Sequence, residues 1–321
     1  MKNFTKACLI AGGVCILIGG GITTVAAAMG GRLSDVSAYH YSWLGHDIAD
    51  GITRDIRSGM DDLSRDLSDN FDDSFDELGR EFDDIGRSIH DRLDDGELNE
   101  STFSEIYARK LDLEVRRGKA VIVYDAPADK IVVSSEEDMA RWNVYSEEDE
   151  LKVTVGSKSW DSHDYKDTVI YIHVPADYRF EEVELKVKAP SNNKIINSDD
   201  GPAIVAEGLK AGKIEIDASV GAVRVTGADT GKLEVDSDVG AVQFEGKVDG
   251  DVDTECSVGA VKLDLAGAKA DFNYEIKCKV GSITVGGEGF SGLSRERKIN
   301  NGAAKKMELD CNTGAIEVKF H

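Results

Sequence analysis

The residues of this sequence that could do chemistry are five cysteines, six histidines and a large excess of carboxylates. Cys8, Cys15, Cys256, Cys278 and Cys311 form no CxxC pair, so zinc-ribbon and thioredoxin-type chemistry has no ligand set. His40, His46, His90, His163, His173 and His321 lie in no metal-ligand spacing, and no nucleophile-elbow or phosphate-loop motif occurs. Gly287-Glu288-Gly289-Phe290-Ser291-Gly292 has the form G-x-G-x-x-G. A dinucleotide site needs a helix directly after that motif, whereas here a strand pattern resumes at Met307. Asp249, Asp251 and Asp253 open like a calcium loop but lack its glycine at position six and its glutamate at position twelve. The expectation is a protein without catalytic residues, metal or cofactor.

Three of the cysteines belong to a repeat. Ile214-x-Ile216-x-Ala218-x-Val220-Gly221-Ala222-Val223-x-Val225 recurs around Gly240, Gly259, Gly281 and Gly314. A degenerate first copy runs through Ile196, Ser198, Gly201, Ala203 and Val205. In each copy two strands alternate in and out, and the Gly-Ala or Gly-Ser step shifts the parity by one, as a corner requires. Glycine there permits a bend that a side chain would block. One copy cannot bury its own inward face, so copies must stack. Ala218, Ser237, Cys256, Cys278 and Cys311 hold the same place in successive copies, three residues before the corner glycine, which reads as a buried column of small residues with inert thiols.

The outward positions carry charge. Glu215, Glu234, Asp253, Glu275 and Glu308 recur six residues before the corner glycine, and like charges stacked about 5 Å apart repel. Such a column favours divalent cations or a basic partner unless salt screens it. Arg295, Arg297, Lys298, Lys305 and Lys306 form a concentrated basic patch before the last copy, a candidate contact for an anionic polymer or an acidic segment.

Upstream of the repeat, the period changes. From Leu111 to Val187 short apolar alternations recur about every ten residues, ending in strands such as Ile170-Tyr171-Ile172-His173-Val174-Pro175, an all-β pattern. Residues 46–99 instead carry a single apolar stripe at gaps of three and four, including Met60, Phe71, Phe82 and Leu93, each followed by Asp-Asp and eleven residues apart. That is an amphipathic helix with a slight right-handed drift, akin to a coiled coil. With 18 acids and 6 arginines it is too polar to cross a membrane, and its stripe implies self-association or a partner helix.

At the amino terminus, Lys2 and Lys6 precede 23 uncharged residues from Ala7 to Met29. A helix of that length spans a bilayer core of about 30 Å, so residues 1–30 read as a retained anchor, with cleavage after Ala28 as the alternative. The lysines keep the amino terminus inside and place the bulk of the chain outside a cell membrane, as a single-pass protein. Across the chain 61 acids outnumber 38 basic residues, a net charge of −23 that argues against nucleic acid as a partner.

The Val-Gly-Ala-Val steps, with the Ile170–Pro175 strand before them, resemble the bacterial β-strand-repeat family of "putative adhesins" over roughly residues 104–321. The resemblance implies an envelope protein with an amino-terminal anchor. The expected organisation is all-β, a β-solenoid of stacked repeats of about 19–22 residues over 191–321. A strand-rich start to the solenoid occupies 104–190, preceded by the anchor at 1–30 and the acidic stalk at 46–99. The expected function is a membrane-anchored extracytoplasmic binding or scaffold protein without catalysis, whose ligand is a cell-surface polymer or protein. A regulatory partner of a membrane signalling protein in envelope-stress sensing is the alternative. A polysaccharide-active β-helix enzyme is a third, though the 7% aromatic content offers few sugar platforms.

Overall fold

Period-2 alternation of β-branched and charged residues dictates strands with one dry face, and the chain is all-β where it is described. A computed structural model describes residues 99–103, 108–126, 130–135, 142–156, 169–188, 203–290 and 295–321. The anchor at 1–30 lies outside the described residues, as does the stalk at 46–99 except for Asn99, which begins the first strand. Among the described residues no helix is long and apolar enough to cross a membrane.

The strands form two parallel ladders. The first runs, in spatial order, β6 (Glu150–Val155), β2 (Lys110–Val115), β8 (Phe180–Val187), β10 (Lys210–Ala218), the second half of β11 (Ala222–Ser237), β13 (Val252–Cys256), β19 (Lys305–Cys311) and β15 (Phe272–Cys278). The second runs β7 (Val169–Pro175), β3 (Lys119–Ala126), β9 (Ala203–Glu207), the first half of β11, β12 (Ala241–Val248), β14 (Ala260–Leu265), β20 (Ala315–Phe320) and β16 (Ser282–Val285). One hydrophobic cluster unites the inward side chains of both ladders. A buried Leu, Ile or Val contributes about 2 kcal/mol in such a place.

The spatial order departs from the chain order at both ends. The last repeat, β19 with β20, lies between the two repeats that precede it in sequence. At the other end, β2 with β3 lies between β6–β7 and β8–β9. The outermost parallel strands are covered by antiparallel ones. β5 (Trp142–Glu147) covers β6, and β4 (Ile131–Ser135) covers β7 and is itself covered by β1 (Asn99–Phe103). β18 (Arg295–Ile299) covers β15, while β17 (Glu288–Gly289) covers β16. An uncovered parallel edge is a template for adding another chain. The charges of β18, in the sequence Arg-Glu-Arg-Lys-Ile, discourage that addition.

The corners explain the glycines. A Cβ on Gly314 would lie 2.2 Å from the Gly259 carbonyl oxygen and 2.6 Å from Cys256 Sγ. On Gly281 it would meet the Gly314 oxygen at 2.2 Å and Cys311 Sγ at 2.5 Å. At Gly240, Gly259, Gly281 and Gly314 the glycine is therefore required by the adjacent strand's backbone rather than by its own torsions, whereas Gly221 has φ +95°, a torsion that itself favours glycine. Strict alternation from Ile214 through Ala218 would carry the residue before the glycine inward, a valine in every full copy but the last, which has Thr313. Instead Val239, Val258 and Val280 are 48%, 56% and 43% exposed. Two successive corner amides, those of Asp238 and Val239, donate to the Ala218 and Ser219 carbonyls of the neighbouring rung, so the turn begins before the glycine and both side chains face solvent.

Candidate functional site

The outward face of the first ladder is a charged surface with a fixed register. Glu184, Glu215, Glu234, Asp253, Glu308 and Glu275 follow one another on adjacent strands. A second column alongside holds Lys186, Asp217, Asp236, Glu255, Asp310 and Lys277. At a strand spacing of about 4.8 Å, two carboxylates repel by roughly 0.9 kcal/mol in water and roughly 3 kcal/mol at an effective dielectric of 20.

Most of the first column has cations at hand. Lys213 bridges Glu215 at 2.8 Å and Glu234 at 2.6 Å, and Lys232 reaches Glu234 at 2.5 Å. Lys306 pairs with Glu308, and Lys298 and Lys277 each stand 3.2 Å from Glu275. These partners, Lys298 first and Lys277 next, hold the Glu275 carboxyl below its ordinary value. The acidic ladder is thus largely neutralised by lysines two residues away along the same strands.

Asp236, Asp253, Glu255 and Asp310 form no ion pair among the described residues, and Asp310 Oδ1 is buried without a hydrogen-bond partner. The first three line a groove of about 250 Å³ together with Glu215, Asp217 and Glu234, floored by Ile216 and Val235. Partial burial, then the charges of Asp238, Asp217 and Glu255, push the Asp236 carboxyl up. Partial burial, then Glu308, Glu255 and Glu234, do the same to Asp253. Among the described residues no cluster of acids, histidines and cysteines has the geometry to hold a metal ion.

Four of the five basic residues before the last repeat have described side chains, and each has a partner. Arg297 lies over the Phe290 ring at 5.1 Å, and Lys305 lies over the Phe272 ring at 4.3 Å while donating to the Val248 carbonyl at 3.1 Å. Lys298 and Lys306 serve the acidic ladder, and for Arg295 only the backbone, in β18, is described.

Ala218, Ser237, Cys256, Cys311 and Cys278 follow one another in register, each at most 1% exposed. Cys278 and Cys311 donate to the carbonyls of their own corner glycines, Gly281 and Gly314, at 2.9 and 3.0 Å, as Ser237 does to Gly240 at 2.9 Å. The small polar side chain satisfies the corner carbonyl. A hydrogen bond with Cys256, opposed by one with Cys278 and reinforced by burial, pushes the Cys311 thiol up to about 12. Such a thiol is not a nucleophile at neutral pH.

One constellation has no signal in the sequence. His173 on β7 places Nδ1 2.7 Å from Asp125 Oδ1, and Nε2 3.2 Å from Ser134 Oγ. A carboxylate only accepts, so Nδ1–H donates to Asp125 and Nε2 accepts from the Ser134 hydroxyl. This is the connectivity of a hydrolytic triad, with the exposure reversed. Ser134 is 0% exposed at the middle of the β1–β4–β7 sheet, while the Asp125 side chain is 40% exposed. No substrate carbonyl reaches the serine. The network instead fastens β4 across β7 onto β3.

No family model matches this chain, and no curated protein matches it. Solved structures do. A "putative cell adhesion protein" from Clostridium sporogenes aligns with a TM-score of 0.36 at 16% identity, covering 70% of this chain and 100% of that one. A "putative adhesin" from Bacteroides fragilis aligns with a TM-score of 0.34 at 13% identity, covering 69% and 96%. Another from Parabacteroides distasonis gives 0.34 and 13%, covering 68% and 96%.

Proposed function

We propose that this chain is an adhesin-like binding or scaffold protein, in which the two ladders are successive faces of a β-solenoid presented outside the cell membrane by the anchor at residues 1–30. The observation that carries the reading is the groove over β10, β11 and β13, where Asp236, Asp253 and Glu255 stand in fixed register without an ion-pair partner among the described residues. A stack of hydrogen-bonded rungs holds these carboxylates at set spacings, so little side-chain order is lost when a cationic group on an envelope polymer or protein docks. The covered edges turn contact away from strand addition and toward side-chain faces.

The test is binding of the purified full chain, in detergent, to isolated bacterial envelopes. The triple variant Asp236→Asn, Asp253→Asn, Glu255→Gln should lose at least tenfold in affinity while Lys247→Ala, outside the groove, loses none. Equal binding by the wild type and the triple variant would remove the groove from the function. Retention of the native chain in the cytoplasm would remove the topology.

A further inference from the structure

Where it begins, the second ladder is apolar on both faces. Ala120, Ile122, Ile170, Ile172 and Ile204 point into the shared core. Alternation sends their neighbours to the opposite face, where Tyr171, Val121 and Val205 follow in register from β7 to β3 to β9. These three form a separate cluster with Ala203, each at most 5% exposed, and Lys119 on the same face is 5% exposed as well. The described side chains packed on that cluster, Val123, Val169 and Ala222, belong to the same ladder. Neighbours in one sheet cannot bury each other's outward side chains to this degree, so a further layer lies on this face.

One segment of the chain fits that face in pattern, position and charge. Phe75, Leu78, Phe82, Ile85, Ile89 and Leu93 recur at gaps of three and four, an apolar stripe about 27 Å long if helical, roughly the width of six strands. The segment leads directly into β1 at Asn99, and β1 belongs to this same sheet, beside β4 and β7. Phe75–His321 makes up one compact unit. Nine acids and three arginines lie between Phe75 and Leu98, while the outward positions of the ladder hold Lys119, Arg224 and Lys262. A lysine as buried as Lys119 needs acidic company. We propose that residues 75–98 are the covering layer, an amphipathic helix that packs its stripe across β7, β3 and β9 and turns its acids toward those cations. The stripe is then satisfied within its own molecule, and only the part of the stalk before Phe75 serves a partner. The acidic groove, on the other ladder, is independent of this contact.

The experiment uses the full chain in detergent carrying Val205→Cys, labelled with a maleimide at neutral pH and read site by site by mass spectrometry. A chain with the native stripe is compared with one that also carries Phe82→Asp, Ile85→Asp and Ile89→Asp. The buried thiols of Cys256, Cys278 and Cys311 report whether the strands stay folded. The expected result is that the thiol introduced at 205 labels at least tenfold more slowly with the native stripe, at every protein concentration, while the three core thiols stay unlabelled in both chains. Rapid labelling with the native stripe overturns the proposal, because the face is then open. Equal protection in both chains overturns it and assigns the cover to another segment. Protection that is lost on dilution overturns it in favour of a second copy. If Val205→Cys itself exposes the core thiols, Val121→Cys, its partner on β3, takes its place. If the triple variant exposes them, Ile89→Asp alone is read in the same way. Core exposure by that one substitution also supports the packing, since a stripe free of the strands could not unfold them.

Discussion

Cys311 lies in register beside Cys256 on the adjacent parallel strand, although another complete repeat separates the two in sequence. Cys278, from that intervening repeat, flanks Cys311 on its other side. The three thiols therefore mark the order of the rungs, and their environment makes them inert. In the native protein none of the three should react with a maleimide at neutral pH, and all three should react after unfolding in guanidinium. Mass spectrometry of the labelled chain reads this directly. Native labelling of Cys311 would contradict a thiol whose pKa is pushed up to about 12.

Gly314→Ala should destabilise the fold by about 3 kcal/mol, because its Cβ would sit 2.2 Å from the Gly259 carbonyl and backbone cannot yield as a side chain does. Gly302→Ala supplies the comparison. With φ at +69° and nothing within 4 Å of its Cβ, it should lose only about 1 kcal/mol to backbone strain. Urea denaturation of the two variants separates close approach from torsion. Equal losses would remove the crowding argument.

Thr254 faces inward, 0% exposed, between Val235 and Leu309 in the first ladder, and its hydroxyl has no hydrogen-bond partner. Thr254→Val replaces the hydroxyl by a methyl group of similar size and should raise stability by about 1–2 kcal/mol. A loss of stability in a thermal melt would mean that the hydroxyl is satisfied.

Asp253 has a carboxyl raised above its ordinary value of 3.8, so near its titration the native state holds more protons than the unfolded one. Stability from this group therefore falls as pH rises from 3.8 through the raised native value, and the full penalty is present at neutral pH. Asp253→Asn should raise the melting temperature at pH 7, and the advantage should shrink as the pH falls toward 3.8. Glu275 is the opposite case, with a lowered carboxyl beside Lys298 and Lys277. Glu275→Gln should lower the melting temperature at pH 7, and that loss should fade on acidification below the ordinary glutamate value. Melting curves across pH check both signs, and parallel profiles for the two variants would contradict the assignment.

The fold was legible where it is local. The alternation Ile214-x-Ile216-x-Ala218 declares a half-buried strand, and the place of Cys256, Cys278 and Cys311 in that alternation declares a buried column before any neighbour is known. The order of rungs was not legible, because Met307-x-Leu309-x-Cys311 and Tyr274-x-Ile276-x-Cys278 fit either slot equally well by pattern. The lysine ladder was present in the chain as Lys213-Ile214-Glu215, Lys232-Leu233-Glu234 and Lys306-Met307-Glu308. Reading acids alone concealed it, since residues two apart on a strand share a face. Asp125, Ser134 and His173 meet only through the pairing of β3, β4 and β7, which no spacing announces.

Hydrogen–deuterium exchange on the full chain reads the order of the rungs. A last repeat stacked in chain order would leave residues 307–318 on an outer strand, exchanging early. With the last repeat between its two neighbours, the amides of 307–311 and 315–318 should be protected at least as strongly as those of 252–256, and more strongly than those of 282–285, which a two-residue strand covers. Fast exchange at 307–318 with slow exchange at 282–285 would contradict that order.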